Sequence, residues 1–293
     1  MFSMILVPLD GSDLAESIIP QMERIYRVHD AEIILLRTVP PPALSTPQIE
    51  ALVRQAEVEA FDYVMAVAKR LEAKGIAAKA VVKRGLPEEV IPAFAVKEGV
   101  ELITMSTHGR TGISRWTRGS VAESVLRLAT TPLVLMHSFE KPGTEASARR
   151  LPNEIRFARV LVPVDDSSES QTILPHVETV ARLYESQVTI FHAIYVHPSL
   201  AMYPSDMLPV ASPTDTGLAE KLAGELRQRG IRAAAKSVWG EPAWEIIEEL
   251  RHHPYDLVAM GTHGRRGVER LLLGSVAEKL LRTVSLPMLL VRA

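Results

Sequence analysis

A chain of 293 residues is long for one compact core and natural for two domains of roughly 150 residues each. With 47% hydrophobic and 23% charged residues it reads as a soluble globular protein, and a formal net charge of -2 gives no electrostatic case for nucleic acid or an anionic membrane. The absence of cysteine excludes disulfides, thiolate metal sites, iron–sulfur clusters and thiol catalysis, and fits a reducing cytoplasmic compartment.

The first residues, MFSMILVPLDGSD, carry no basic segment, and their apolar run stops at Pro8 and an acidic turn. They predict a strand rather than a signal peptide. Further strand candidates follow in AEIILLRTV, AAKAVV, VELITM and PLVLM. Each is short, rich in Val, Ile and Leu, and apolar on both faces, as a buried parallel strand requires. After the second of these, Ile49, Leu52, Val53, Ala56, Ala60, Val64, Val67 and Leu71 recur at helical spacing. Thr46 as N-cap and Pro47 at the first helical position start that helix, and Gly75 ends it. No run of about 18 apolar residues occurs, so no segment is expected to span a membrane.

Residues 139–156, FEKPGTEASARRLPNEIR, are rich in charged, small and breaker residues and read as a linker. Beyond it the pattern returns at one constant offset. Asp10 maps to Asp165, Pro20 to Pro175, Gly75 to Gly230, Gly85 to Gly240, Pro87 to Pro242 and Pro132 to Pro287. The chain is read as two copies of one domain, 1–138 and 157–293. Alternation of strand and helix predicts the α/β class: two tandem doubly wound domains, each a five-stranded parallel sheet of order 3-2-1-4-5 with helices on both faces. In that order the winding reverses between the first and fourth strands, where open α/β sheets bind ligands beyond their carboxyl ends.

Residues 260–281, MGTHGRRGVERLLLGSVAEKLL, and 105–126, MSTHGRTGISRWTRGSVAESVL, agree at 13 of 22 positions and leave the fourth strand of each copy. In the second copy Gly261, Gly264 and Gly274 are spaced G-x2-G-x9-G, with Ser275 following. A glycine at a strand end lets a ligand approach the backbone. The helix opening at Gly274-Ser275 favours an anion through its free N–H groups and dipole, and Arg265 and Arg266 add charge. The first strand ends in Pro163-Val164-Asp165, matched by Pro8-Leu9-Asp10 in the first copy. Its carboxylate suits a ribose, a base edge or a metal bridging phosphates, so the two strand ends together suit a mononucleotide. A plainer reading stands beside this one: Ser275-Val-Ala-Glu278 and Ser120-Val-Ala-Glu123 are capping boxes, and either can serve only to start a helix.

These residues resemble the universal stress protein family in its tandem form. The resemblance rests on ILVPLDGS and VLVPVDDS at the first strands, on M-G-[ST]-x-G followed by G-S-V-x-E, and on the last strand, LPMLLVRA. It covers nearly the whole chain and implies the sheet order 3-2-1-4-5. Members with the full glycine pattern bind ATP. Carried over residue by residue, the resemblance puts Asp165, with Pro163 and Val164 before it, near the ribose or adenine. It gives Ala193 backbone contacts to the adenine, Met260, Gly261, Gly264 and Arg265 to the ribose and phosphates, and Gly274, Ser275 and Val276 to the phosphates. ATP, accompanied by Mg2+, is the implied ligand.

The first copy departs from the pattern and reads S-x2-G-x9-G-S. Its matching positions are Pro8, Leu9, Asp10, Thr38, Met105, Ser106, Gly109, Arg110, Gly119, Ser120 and Val121, and it is expected to be the weaker site. If Gly261 needs a positive φ, Ser106 is strained; if only close approach matters, a small serine is tolerated. After its second strand the second copy spends YVHPSLAMYPSDMLPVASP where the first has a short PPPALST connection; it is read as a surface loop in preference to a lid, with a helix starting near Pro213.

His252 and His253 are adjacent, so they point about 100° apart and read as an exposed helix end rather than a chelating pair. His108 and His263, inside the glycine loops, read as pocket lining. No metal site is expected from the protein alone. No G-x4-G-K-[ST] loop, G-x-S-x-G elbow or H-E-x-x-H is present, so no catalytic residue is assigned. The expected function is that of a non-catalytic or weakly hydrolytic ATP-binding stress protein that regulates a protein partner; the alternative is an interaction protein of the same fold that does not use nucleotide. The last strands, Pro132 to His137 and Pro287 to Arg292, invite edge pairing. The resemblance implies dimerisation there, satisfied as an intramolecular pseudo-dimer, with a homodimer of chains through other faces.

Overall fold

The computed structural model describes residues 2–20, 22–23, 31–106, 120–136, 157–195, 213–262 and 273–292. Two compact units share the chain, residues 1–155 and 156–293. The first unit runs β1 (Met4–Pro8), α1 (Asp13–Glu16), β2 (Glu32–Val39), α2 (Pro47–Glu72), β3 (Ala78–Arg84), α3 (Pro87–Glu98), β4 (Leu102–Ser106), α4 (Ser120–Leu128) and β5 (Leu133–Met136). Every pairing described is parallel, and the strand order is β3-β2-β1-β4-β5, the expected 3-2-1-4-5. Ile5, Leu6 and Val7 of β1 and Ile33 to Leu36 of β2 are buried, which is why these strands read as continuous apolar runs.

The second unit repeats the plan through β6 (Arg159–Val164), α5 (Ser168–Gln171), α6 (Leu174–Tyr184), β7 (Gln187–Ile194), α7 (Pro213–Gln228), β8 (Arg232–Trp239), α8 (Pro242–His252), β9 (Leu257–Gly261), α9 (Ser275–Thr283) and β10 (Met288–Val291). Its order, β8-β7-β6-β9-β10, is again 3-2-1-4-5. The helix expected near Pro213 begins there.

Two sequence expectations need correction. The strand β3 is not buried on both faces: its residues are half-buried or exposed, as are those of β8. Within the order of its unit each has a neighbour on one side only, so its side chains are covered incompletely. The apolar stripe of α2 is also buried over only part of its length. Ala60, Val64, Val67, Ala68 and Leu71 are covered, whereas Leu52 is 66% exposed. A helix of 26 residues is roughly 39 Å long, against roughly 23 Å for the seven-residue β3, so the first turns of α2 outrun the sheet.

The ends of α2 are as predicted. Thr46 accepts a hydrogen bond from the Ile49 N–H at 3.3 Å, with Pro47 in the first turn. Gly75 adopts φ 78°, and the Ile76 N–H reaches back to the Leu71 carbonyl at 3.0 Å, a closure that favours glycine. Thr46→Ala is expected to cost about 1 kcal/mol, read as a lower urea midpoint; an unchanged midpoint would show that the cap is idle.

One part of the second core has no polar parallel in the first. Glu249 of α8, only 6% exposed, accepts from Lys236 Nζ of β8 at 2.5 Å and from the Tyr255 hydroxyl at 2.8 Å. His253 Nδ1 lies 3.3 Å from its carboxylate. Burial pushes the Glu249 carboxyl up, but the Lys236 and Tyr255 hydrogen bonds outweigh it and leave the group below the usual carboxylate range. Burial pushes the Tyr255 phenol up to about 12, against a lowering hydrogen bond from Thr189. At the positions equivalent to Thr189, Lys236, Glu249 and Tyr255 the first unit carries Ile34, Val81, Phe94 and Val100.

Candidate functional site

Each unit places the end of its first strand between the ends of its second and fourth, because the first strand pairs with both. In the second unit Pro163 and Val164 close β6 and Asp165 lies just beyond. Asp165 Oδ1 accepts from the Ser167 N–H at 3.0 Å and from the Ser167 hydroxyl. Ser167 in turn caps α5, accepting from the Ser170 N–H at 3.1 Å. In the first unit Pro8 ends β1, and the Leu9 N–H continues the ladder to Leu36 at 2.9 Å. Asp10 Oδ1 accepts from the Ser12 N–H at 2.9 Å and from its hydroxyl at 2.6 Å. An Asp-x-Ser turn therefore holds one oxygen of each carboxylate. Ser12 and Ser167 have no part in a purely ligand-binding account of these aspartates; DGS and DDS are the signal in the sequence that points to the turns.

Thr38 lies in β2 opposite Lys83, and the buried Ala193 lies in β7 opposite Val238. The residue before each was not singled out from sequence and differs sharply between units. Arg37 packs its guanidinium against Gly11, where an added Cβ would stand 2.7 Å from Nη1, and stacks 5.4 Å from the centre of the Tyr63 ring. Gly11 itself has φ 79°. In the second unit Asp166 replaces Gly11 and His192 replaces Arg37. His192 is 3% exposed, and its Nε2 lies 3.5 Å from Asp166 Oδ1. Gly11 turns through a positive φ beside the guanidinium, whereas Asp166 lies outside that region beside the shorter imidazole.

At the fourth strand, Met260 and Gly261 lie in β9, paired with Leu290 and Val291 of β10. The Thr262 N–H donates to the Val291 carbonyl at 2.9 Å, and the Gly274 N–H donates to the Thr262 carbonyl at 2.8 Å. That second bond ties the start of α9 to the end of β9. Gly274, at φ -60° and ψ 142°, is the N-cap, and its carbonyl accepts from the Glu278 N–H at 2.9 Å.

The capping-box expectation is therefore wrong for Ser275. It occupies the first helical position rather than the cap, and Glu278 pairs forward with Arg282. The N–H groups of Ser275 and Val276 belong to the first turn, which has no intrahelical acceptors, and no side chain among the described residues caps it. In the first unit Ser120 likewise opens α4, with Val121 after it, and Glu123 pairs with Arg127.

Gly261 is a strand residue outside the positive-φ region, and so is Ser106, which ends β4 after Met105 and opposite Met136. The strain alternative therefore falls: Ser106 is not strained by its φ. Gly264, Arg265, Gly109, Arg110, Gly119, His108, His263 and the loop after Tyr195 lie outside the described residues. His252 and His253 end α8 and bind separate partners, the Glu248 and Glu249 carbonyls.

The arrangement offers backbone donors at a helix N-terminus, a glycine approach and a turn-held carboxylate at adjoining strand ends. No helix among the described residues is long and apolar enough to cross a membrane.

The universal stress protein family model matches residues 1–137 and again residues 156–292. A universal stress protein of Mycolicibacterium smegmatis is 25% identical over 306 residues, covering 98% of this chain and 96% of its own. One from Mycobacterium tuberculosis is 26% identical over 302 residues with the same coverage, 98% and 96%. The crystal structure of a universal stress protein from Archaeoglobus fulgidus superposes with a TM-score of 0.75 at 21% identity, over 99% of this chain and 98% of that one, which speaks to the fold. The chain belongs to the universal stress protein family and carries two of its domains in tandem.

Proposed function

We propose that the second domain binds ATP and that occupancy, rather than turnover, regulates a protein partner. One observation carries this reading: the α9 N-terminus has no side-chain cap among the described residues and is fastened by Gly274 to the end of β9, within one strand of Asp165. Its first-turn N–H groups fit phosphate oxygens. The turn-held carboxylate of Asp165 fits a neutral donor such as a ribose hydroxyl. Mg2+ would arrive with the nucleotide, held chiefly by its phosphates. Gly264 and Arg265 belong to the same proposed site. The first domain, through Asp10, Thr38, Ser106 and Val121, is the weaker site of the pair.

The test is to denature the purified protein, identify any released small molecule by chromatography, and titrate ATP with Mg2+ by calorimetry. Adenine nucleotide released or bound is the expected result, and its absence from both measurements would overturn the reading. ADP appearing much faster than in buffer would overturn the non-catalytic part.

A second reading, an interaction protein that does not use nucleotide, is favoured by the local bonds of Asp10 and Asp165, which hold both turns without a ligand. The proposal extends to a cytoplasmic location, domain limits of 1–138 and 157–293, and pairing of the last strands as a pseudo-dimer. A homodimer of chains is the assembly to look for by light scattering.

A further inference from the structure

Ser170 is 6% exposed and uses its hydroxyl only locally. Its Oγ lies 2.9 Å from the Asp165 carbonyl, 3.0 Å from the Ser167 carbonyl and 3.2 Å from the Asp165 N–H. A serine hydroxyl has one proton and two lone pairs. It can therefore share its proton between the two carbonyls while accepting from the Asp165 N–H. Both peptide groups that flank the Asp165 side chain are thus held by one buried atom. The Ser167 N–H and hydroxyl hold the carboxylate itself, and Asp166 is drawn toward His192.

The first domain lacks this arrangement. Ala15 stands where Ser170 does, equally buried at 8% exposure, and supplies no hydroxyl. The residue after its aspartate is Gly11, at φ 79°, and glycine has more conformational freedom to lose when a ligand orders the turn. The Asp10 turn keeps the Ser12 bonds but not the hydroxyl clamp on the backbone.

Resting on the ATP reading above, we propose that Ser170 is a positioning residue. It fixes the direction of the Asp165 carboxylate and makes the second site the tighter for the nucleoside portion of the ligand. A group already fixed in its binding geometry spares the entropy of ordering it. The effect belongs to the sugar and base end, because the phosphates are received by α9, whereas the hydrogen bonds of Ser170 go to Asp165 and Ser167.

The experiment uses the full chain and calorimetry with three probes: ATP with Mg2+, adenosine, and inorganic tripolyphosphate. Ser170→Ala is expected to weaken adenosine and ATP at the tighter site by roughly 3- to 10-fold, the loss of one net hydrogen bond. Tripolyphosphate affinity should stay the same. Ser170→Thr should restore adenosine binding, and Ala15→Ser should strengthen it at the weaker site. Equal losses for adenosine and tripolyphosphate would mean a general structural role and overturn the proposal. Unchanged adenosine affinity in Ser170→Ala would overturn it while leaving the ATP reading intact. Wild-type protein that binds neither adenosine nor ATP would overturn both.

Discussion

Gly274→Val is expected to lower ATP affinity at the second domain by at least about tenfold, equivalent to about 1.4 kcal/mol, while leaving the fold intact. At φ -60° and ψ 142° any residue is accommodated, so the backbone is not strained. The N-cap has no side-chain bond to lose, and valine is poorer there than glycine by about 1 kcal/mol or less. What valine changes is the space in front of the first-turn N–H groups, where its branched side chain would stand between them and a phosphate. Gly119→Val, at the matching position of the first domain, is expected to remove less bound nucleotide. Nucleotide retained after purification and calorimetric affinity together check this. A larger loss from Gly119→Val would mean that the two sites are ranked in the wrong order.

Glu249→Gln is expected to destabilise the second domain by about 1–3 kcal/mol, because a buried acceptor that serves Lys236 and Tyr255 loses its charge. Lys236 is 40% exposed and can turn to water, which keeps the cost below that of a fully buried pair. Converting all four positions to their first-domain counterparts, Thr189→Ile, Lys236→Val, Glu249→Phe and Tyr255→Val, is expected to bring stability back to within about 1.5 kcal/mol of wild type. Urea denaturation of each variant reads both effects. A quadruple variant less stable than Glu249→Gln would show that the polar cluster stabilises the fold outright. The pH dependence follows from the lowered Glu249 carboxyl. Its contribution is complete above the unfolded value near 4.5 and disappears as pH falls through the lower folded value. Wild-type stability should therefore fall more steeply below about pH 4.5 than that of the quadruple variant, and parallel acid profiles would contradict this.

Most of the architecture could be read in advance because each buried strand carries its own signature. Ile5 to Val7 and Ile33 to Leu36 cannot be anything but doubly covered, and the repeat supplied a second reading of every landmark. The errors arose where the cause is tertiary. Periodicity cannot say where the sheet beneath α2 ends, so Leu52 looked like core. Nor can propensity alone decide whether Ser275 or Gly274 yields its carbonyl to the fourth residue of the helix. The roles of Ser167 and Ser170 depend on a turn of three residues after Asp165, visible as a motif but not as a set of bonds. Nothing in the local sequence singles out Lys236 or Glu249, and only packing places Glu249 inside.

Two similar domains on one chain face a hazard that separate proteins avoid: an element of one can fold into the other. The polar cluster around Glu249 is expected to act against that exchange. An α8 seated in the first core would bring Glu249 against Ile34, Val81 and Val100, with no ammonium or phenol to receive it. The reverse exchange would put Phe94 beside Lys236 and leave Tyr255 without its acceptor. The first misplacement leaves a buried carboxylate unpaired, so the first core is expected to disfavour α8 during folding. The quartet is then expected to act as a recognition mark that keeps α8 with the second half.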